Sequence, residues 1–309
     1  MLFDVKAKLP NDSRVTSEFW GMKSAGELLK YNAMKLSLSV RIAEGFLSKE
    51  IPILPLDEVV SVAAKAGYSA VCMRASQVGI QSPAETVQAA IAMVRREGLK
   101  FSMVTGDFDT VYNNDRGPNA LRNIRPYLRL ATELGAPLIR VAVKRVDDIA
   151  WVQRAADEAA EVGIRLVHQC HTLSLFETVE SIVDTIQRID RKNFGLVYEP
   201  ANLELCGQDY GHETMQRLAP WIFNVYLQNQ LMRSDGAVTL NTWCRGPVFF
   251  NLIPVHAAGG IDFPLVIDGL ACIGYEGYIT VHQSTTDGET PAQSAQRTAD
   301  YLRALGSLQ

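Results

Sequence analysis

The sequence has few features that would mark a secreted, membrane or nucleic-acid-binding protein. Its five cysteines, Cys72, Cys170, Cys206, Cys244 and Cys272, are dispersed and contain no Cys-x-x-Cys pair. An odd, scattered set in a chain of 309 residues reads as reduced thiols in a cytosolic protein. The formal charge is only −4, which argues against nucleic acid or an anionic membrane as main partner, since both need concentrated Lys and Arg. No apolar run approaches the roughly 20 residues that cross a bilayer. The opening stretch, MLFDVKAKLPNDSR, is polar and lacks the apolar core of a secretory signal, so cytoplasm is the expected compartment. A glycine-rich phosphate loop is also missing after the first strand-like run, which disfavours an open doubly wound sheet.

What is present is alternation. The first 32 residues are polar and mixed, with Pro10 and Gly21, and read as an N-terminal extension. From residue 33 to 309, short apolar runs alternate with amphipathic helical stretches. The runs are KLSLSV, SAVCMR, LKFSMVTG, PLIRVAV, IRLVHQCH, FGLVYE, IFNVYLQN and GYITVHQS, with a long connection after the seventh. Helices are expected to end at Gly67, Gly98, Gly135, Gly163 and Gly274, each followed by a new strand. Strict alternation forces parallel strands with right-handed crossovers, and eight such units close most naturally into a (β/α)8 TIM barrel.

In such a barrel the chemistry sits at the C-terminal ends of the strands. Polar residues fall there: His168-Gln169-Cys170-His171, Tyr198-Glu199 continuing to Asn202, Asn224, Tyr226 and Gln228, and His282-Gln283. Because successive strand residues face opposite sides, Asn224, Tyr226 and Gln228 point inward, as do Thr280 and His282, and Glu199 shares a face with Val197. On strand five the face is open between Gln169 with His171 and His168 with Leu166. Buried polar groups that converge need partners. A divalent ion (Mn, Zn, Co or Fe) held by Gln169, Glu199, Gln228 and His282 satisfies them together. The competing reading is a metal-free network in which Glu199 pairs with His282 or an Arg.

From Met34 to Leu305 the chain resembles the xylose-isomerase-like barrel superfamily, the sugar phosphate isomerase/epimerase group. GIRLVHQCH is similar to that family's fifth strand, FGLVYEPANL to its sixth, AGGIDF to the segment before the last barrel helix but one, and GYEGYITVH to its eighth strand. The resemblance implies one divalent ion held by residues at the positions of Gln169, Glu199, Tyr226 or Gln228, and His282, with two carboxylates shuttling a proton. Here Gln169 and His282 stand where the family has Glu, Ala258 replaces another Glu, and Cys72 occupies a position that is often Glu. The two-Glu mechanism therefore cannot operate unchanged. His282 and Glu199 are the expected catalytic pair, with His282 as acid or base.

Substrate contacts are expected from His171, Asn202, Tyr226, Arg245, His256 and Arg140. Arg245 suits a carboxylate or phosphate, and Trp243 and Phe249 are placed to wall a sugar face. For Arg140 an ion pair at the barrel wall competes with an anion contact. Asp107 and Asp109 belong to the same rim. The leading function is a sugar isomerase or epimerase acting on a small keto-sugar or sugar acid. A decarboxylase or dehydratase of an oxidised sugar acid follows, then a non-catalytic sugar-binding barrel. A small-molecule sugar or sugar acid is the expected partner. Nucleic acid and membrane are not, and association into a homo-oligomer stays open.

Overall fold

Each apolar run becomes one stave of a closed cylinder. The computed structural model describes residues 34–46, 48–286, 288–306 and 308; the expected extension over residues 1–32 lies outside them. The barrel strands are β1 (Lys35–Ser39), β2 (Ala70–Arg74), β3 (Lys100–Thr105), β4 (Leu138–Arg140), β5 (Arg165–Gln169), β6 (Phe194–Tyr198), β7 (Ile222–Leu227) and β11 (Tyr278–Val281). They close in the order β1-β11-β7-β6-β5-β4-β3-β2, parallel throughout. This is a (β/α)8 TIM barrel.

Helices α1 (Leu56–Lys65), α2 (Ala84–Arg96), α5 (Arg125–Leu134), α6 (Asp148–Ala160), α7 (Val179–Ile189), α9 (His212–Leu218), α10 (Phe263–Cys272) and α11 (Pro291–Leu305) form the outer layer. Short helices α3 (Phe108–Tyr112), α4 (Asn119–Arg122) and α8 (Pro200–Leu205) sit in the connections. The helix-ending glycines Gly67, Gly98, Gly135, Gly163 and Gly274 all take a positive φ near 70°. That conformation is open to glycine at no steric cost, so the chain can turn from helix into strand at those points.

Strand alternation splits the core in two. Residues such as Leu36, Leu166, Leu196, Val225 and Ile279 face the helices. Cys72, Met103, Leu138, Val167, Val197 and Tyr226 fill the inside of the barrel. Strand five thus presents Val167 and Gln169 inward. His168 faces out, edge-on to Phe176 with ring centroids 4.4 Å apart, and its Nδ1–H donates to the Val141 carbonyl at 2.8 Å. The inner layer makes a dry floor, and everything above it belongs to the barrel mouth.

The long seventh connection folds into its own antiparallel sheet, β8 (Gln230–Met232), β10 (Gly246–Leu252) and β9 (Val238–Thr242), in the order β8-β10-β9. Its β9–β10 turn is pinned by the buried carboxylate of Glu177, which accepts from the backbone amides of Trp243 at 2.8 Å and Cys244 at 2.9 Å. Its base is fixed by Asn229, whose Oδ1 accepts from the Gln230 and Ile261 amides at 2.9 and 3.0 Å. Gly260 passes so close to Gln230, at a φ of +77°, that a side chain there would run into the Gln230 carbonyl.

Candidate active site

A cavity of about 280 Å³ opens at the C-terminal ends of the strands, near the lower end of the volumes typical of small-molecule sites. Four sequence-selected residues, Gln169, Glu199, Gln228 and His282, line it, together with His171, Asn202 and Arg140. Three more basic groups line it from the first strands, and a buried carboxylate, Glu44, pairs with two of them. Arg41 follows β1 in a 3-10 turn (Val40–Ala43), Glu44 caps that turn, Lys49 lies just beyond, and Arg74 ends β2. Sequence reasoning missed these four. For Arg41 and Arg74 the signal was available, because a charged residue at the end of a barrel strand reads as part of the site.

Glu199 is the centre of one half. Its backbone follows β6 and begins α8, which turns the carboxyl into the mouth. Oε2 accepts from Gln169 Nε2 and from Asn202 Nδ2, the latter at 2.7 Å. Asn202 also donates to the Cys170 carbonyl at 2.8 Å, which locks its orientation. Oε1 accepts no hydrogen bond from the described residues. Burial pushes the Glu199 carboxyl up to about 7, even though the Gln169 bond, Arg140, Arg41 and Asn202 all pull it down. A group poised there exchanges protons readily at neutral pH.

His282 is held differently. Its ring lies flat on Tyr226, with centroids 3.8 Å apart and planes 7° from parallel. Arg74 Nη1 approaches Nε2 at 3.2 Å and Ser39 Oγ lies 3.0 Å from Nδ1. An arginine can only donate, so Nε2 is the acceptor and Nδ1–H donates to Ser39. Burial first, then Arg74, Arg41, Arg140 and Lys49, depress its pKa well below the ordinary histidine value. His282 is therefore neutral, and its basic lone pair is already taken. The expectation of His282 as acid or base meets an imidazole with neither a proton to lose easily nor a free site to gain one.

The other half is cationic. Arg74 Nε pairs with Glu44 Oε1 at 2.9 Å, and Arg41 Nη1 approaches Glu44 Oε2 at 3.4 Å. Burial alone would raise the Glu44 carboxyl; Arg74, Ser76 and Arg41 hold it below the usual range. Arg140 is 2% exposed, yet it makes no ion pair or hydrogen bond with the described residues, and its Nε is enclosed and unpartnered. The ion pair expected at the barrel wall is absent there. Arg74 Nη2 is likewise enclosed without a partner. Lys49 Nζ sits 5.3 Å from the centre of the Tyr112 ring, and burial, then Arg41, Arg74 and Arg140, bring its amine down to about 6.

Gln169, Glu199, Gln228 and His282 do not form a complete divalent-cation site as they stand. Gln169 Oε1 is enclosed and unpartnered among the described residues, and Glu199 Oε1 is unbonded there. But Arg74 occupies the His282 nitrogen that a metal would need, two amides occupy the other Glu199 oxygen, and four basic side chains line the cavity. Among the described residues, groups of three clustered His, Cys, Asp or Glu side chains occur at Glu177, Cys206 and Cys244 and at His212, Asp268 and Cys272.

The remaining candidates divide. His171 lines the cavity; its Nδ1 lies 2.9 Å from the Thr172 carbonyl and 3.1 Å from Asn113 Nδ2. Tyr226 lies beneath the cavity in the inner layer, its hydroxyl 3.3 Å from Cys72 Sγ, and supports His282 from below. Arg245 is not brought to the cavity: it is exposed at the β9–β10 turn and donates to the Leu205 carbonyl at 3.3 Å. His256 is also outside, 3.3 Å from Glu289. Trp243 and Phe249 are exposed on the hairpin, and the residues it turns toward the cavity are Thr239, Leu240 and Asn241. Asp107 caps α3 through the Thr110 amide.

Comparison with known proteins adds to the geometry. Over 162 residues the chain is 26% identical to an inosose dehydratase from Geobacillus thermodenitrificans, spanning 52% of this chain and about half, 54%, of that protein. A D-allulose 3-epimerase from a Methylomonas species, solved with D-allulose, superposes with a TM-score of 0.64 at 14% identity, over 89% of this chain and 98% of that one. A Mycobacterium smegmatis barrel solved with magnesium gives the same TM-score and identity, over 89% and 97%. These relatives include sugar-processing enzymes, and at least one holds a divalent metal. Residues 60–305 match the family model described as xylose isomerase-like TIM barrel, and the chain belongs to that family.

Proposed function

We propose that this barrel is a lyase that dehydrates a small polyhydroxylated carbonyl compound, with Glu199 as its single acid–base group. The observation that carries this reading is the inequality of the two carboxyls in the mouth. Glu44 is locked between Arg74, Arg41 and Ser76, whereas Glu199 keeps one oxygen unbonded among the described residues and burial pushes its carboxyl up to about 7. Inverting a carbon centre calls for a base on one face and an acid on the other. Eliminating water from one face needs only one group. The Glu199 carboxylate takes the proton beside the carbonyl, and the electron pair moves into an enolate. That pair then expels the hydroxyl on the next carbon, which leaves as water with the proton returned by Glu199. The carboxylate is regenerated and the product is an unsaturated carbonyl compound.

The cationic half of the mouth supplies what the enolate needs. Fixed positive charge aimed at a developing oxyanion in a water-poor site is commonly the largest single contribution to catalysis. The dehydratase relative supports the same reading, and the epimerase neighbour supports the alternative of an isomerase acting on a keto-sugar. Incubating the purified protein with keto-polyols and oxidised sugar acids separates the two. Dehydration gives loss of one water by mass spectrometry and a new ultraviolet absorbance from the unsaturated carbonyl. An epimer or aldose–ketose isomer without that product favours the isomerase. Carbon dioxide release favours a decarboxylase, and no turnover with measurable binding favours a sugar-binding barrel.

A further inference from the structure

We propose that the barrel mouth holds a carboxylate of its substrate on Arg140 and Arg74, in a site built for an anion rather than for a divalent cation. This deepens the reading of the cavity as the active site and rests on it. Three observations carry the assignment. Arg140 is buried, lines the cavity and has no counterion or hydrogen bond among the described residues. In the same wall Arg74 Nη2 is enclosed and has no partner among the described residues, while its Nε and Nη1 are fixed by Glu44 and His282. Arg41 lines the same space, and among the described residues Glu44 is the one carboxylate paired with it and with Arg74.

A buried guanidinium without a partner is costly to keep, and a planar anion removes that cost. The guanidinium fork matches a carboxylate through parallel N–H···O bonds. Arg74 is pre-oriented for this role because two of its nitrogens are already fixed. The remaining rim, Asn113, His171 and the hairpin residues Thr239 and Asn241, offers polar contacts suited to hydroxyl groups. The ligand class is therefore a small hydroxylated carboxylic acid, the sugar acid in preference to the neutral sugar.

The test uses the full chain and two six-carbon probes that differ at one end, D-gluconate and D-sorbitol, with manganese chloride as a third titrant. Calorimetric titration and thermal shift are expected to show gluconate binding at least ten times more tightly than sorbitol, with manganese giving no stabilisation. In R140M the gluconate preference falls at least tenfold while the variant stays folded, and R140K, which restores charge without the fork, recovers part of it. Sorbitol binding as tightly as gluconate, binding of neither, unchanged gluconate affinity in R140M, or stabilisation by manganese overturns the proposal. E199Q separates this from the reaction: it is expected to bind gluconate at least as tightly as wild type, so that loss of turnover there leaves the anion site standing. If E199Q loses gluconate binding as R140M does, the anion site is not distinct from the acid–base group and the assignment to Arg140 fails.

Discussion

The two halves of the barrel mouth are built from different chemistry on one scaffold. Strands β5, β6, β7 and β11 deliver Gln169, Glu199, Gln228 and His282, and the connections add Asn202. Strands β1, β2 and β4 deliver Arg41, Glu44, Arg74 and Arg140. On the first side Gln169 and Asn202 both donate to one carboxyl, which burial leaves poised. On the second, positive charge exceeds negative and is left partly unmatched. A site with that division separates proton transfer from charge stabilisation. The histidine between them, flat on Tyr226 and facing Arg74, belongs to the cationic half by its contacts and to the other by its strand.

The sharpest way to break this comparison is Glu199→Gln. It keeps the shape and both amide neighbours but removes the proton carrier. General acid–base groups contribute about 10²–10⁴-fold, so turnover is expected to fall by that much while thermal stability is kept. Wild-type kcat/KM is expected to rise with pH through about 7, as the Glu199 carboxyl loses the proton it keeps below that value. That limb disappears in the variant. A drop of less than about tenfold, with the limb intact, moves the acid–base role to another group.

Next comes a pair of arginines that look alike in sequence. Arg74→Met strips Glu44 of its shorter ion pair and leaves a buried carboxylate facing only Arg41 and Ser76. Breaking a buried pair from one side costs about 3–5 kcal/mol, and a melting temperature lowered by several degrees is expected. Arg140→Met removes a buried charge that has no partner among the described residues, so its melting temperature is expected to be unchanged or higher. Equal losses in the two variants, measured by thermal denaturation, would show that Arg140 has a structural counterpart.

The fold was almost wholly legible because its signal is repetitive. Eight apolar runs, each closed by a helix and often by a glycine that the structure places at positive φ, leave few topologies. Half of the mouth was legible for a related reason: Gln169, Glu199, Gln228 and His282 are polar residues ending apolar runs. Arg41 and Arg74 end such runs too, but an arginine at a strand end also reads as a surface residue with its head in water. Only closure of the barrel brings Arg74 within 2.9 Å of Glu44, 30 positions earlier. The hairpin was illegible as a sheet, since β8 is three residues long and its pairing is non-local. Arg245 and His256 lie in a connection whose path no local pattern fixes, and the structure turns both away from the cavity. The face of strand five was undecidable from alternation alone, because both choices carry an apolar residue with a polar one.

The smallest expected effect belongs to Tyr226, and it tests which half the residue serves. Read from the sequence it contacts substrate; in the structure its ring supports His282 and its hydroxyl meets Cys72 Sγ in the inner layer, at 3.3 Å. Burial first, and then Cys72, push the phenol well above its ordinary pKa, so it stays protonated and offers no base. Tyr226→Phe keeps the stacked ring and removes one weak hydrogen bond to sulfur. A bond of that kind is worth at most about 1 kcal/mol, so kcat/KM is expected to change by no more than about fivefold. The pH limb assigned to Glu199 should not move. A loss beyond about a hundredfold in kcat/KM with stability intact would mean that the hydroxyl reaches the substrate. The floor of the barrel would then be part of the site, and the division into two halves would need a third member.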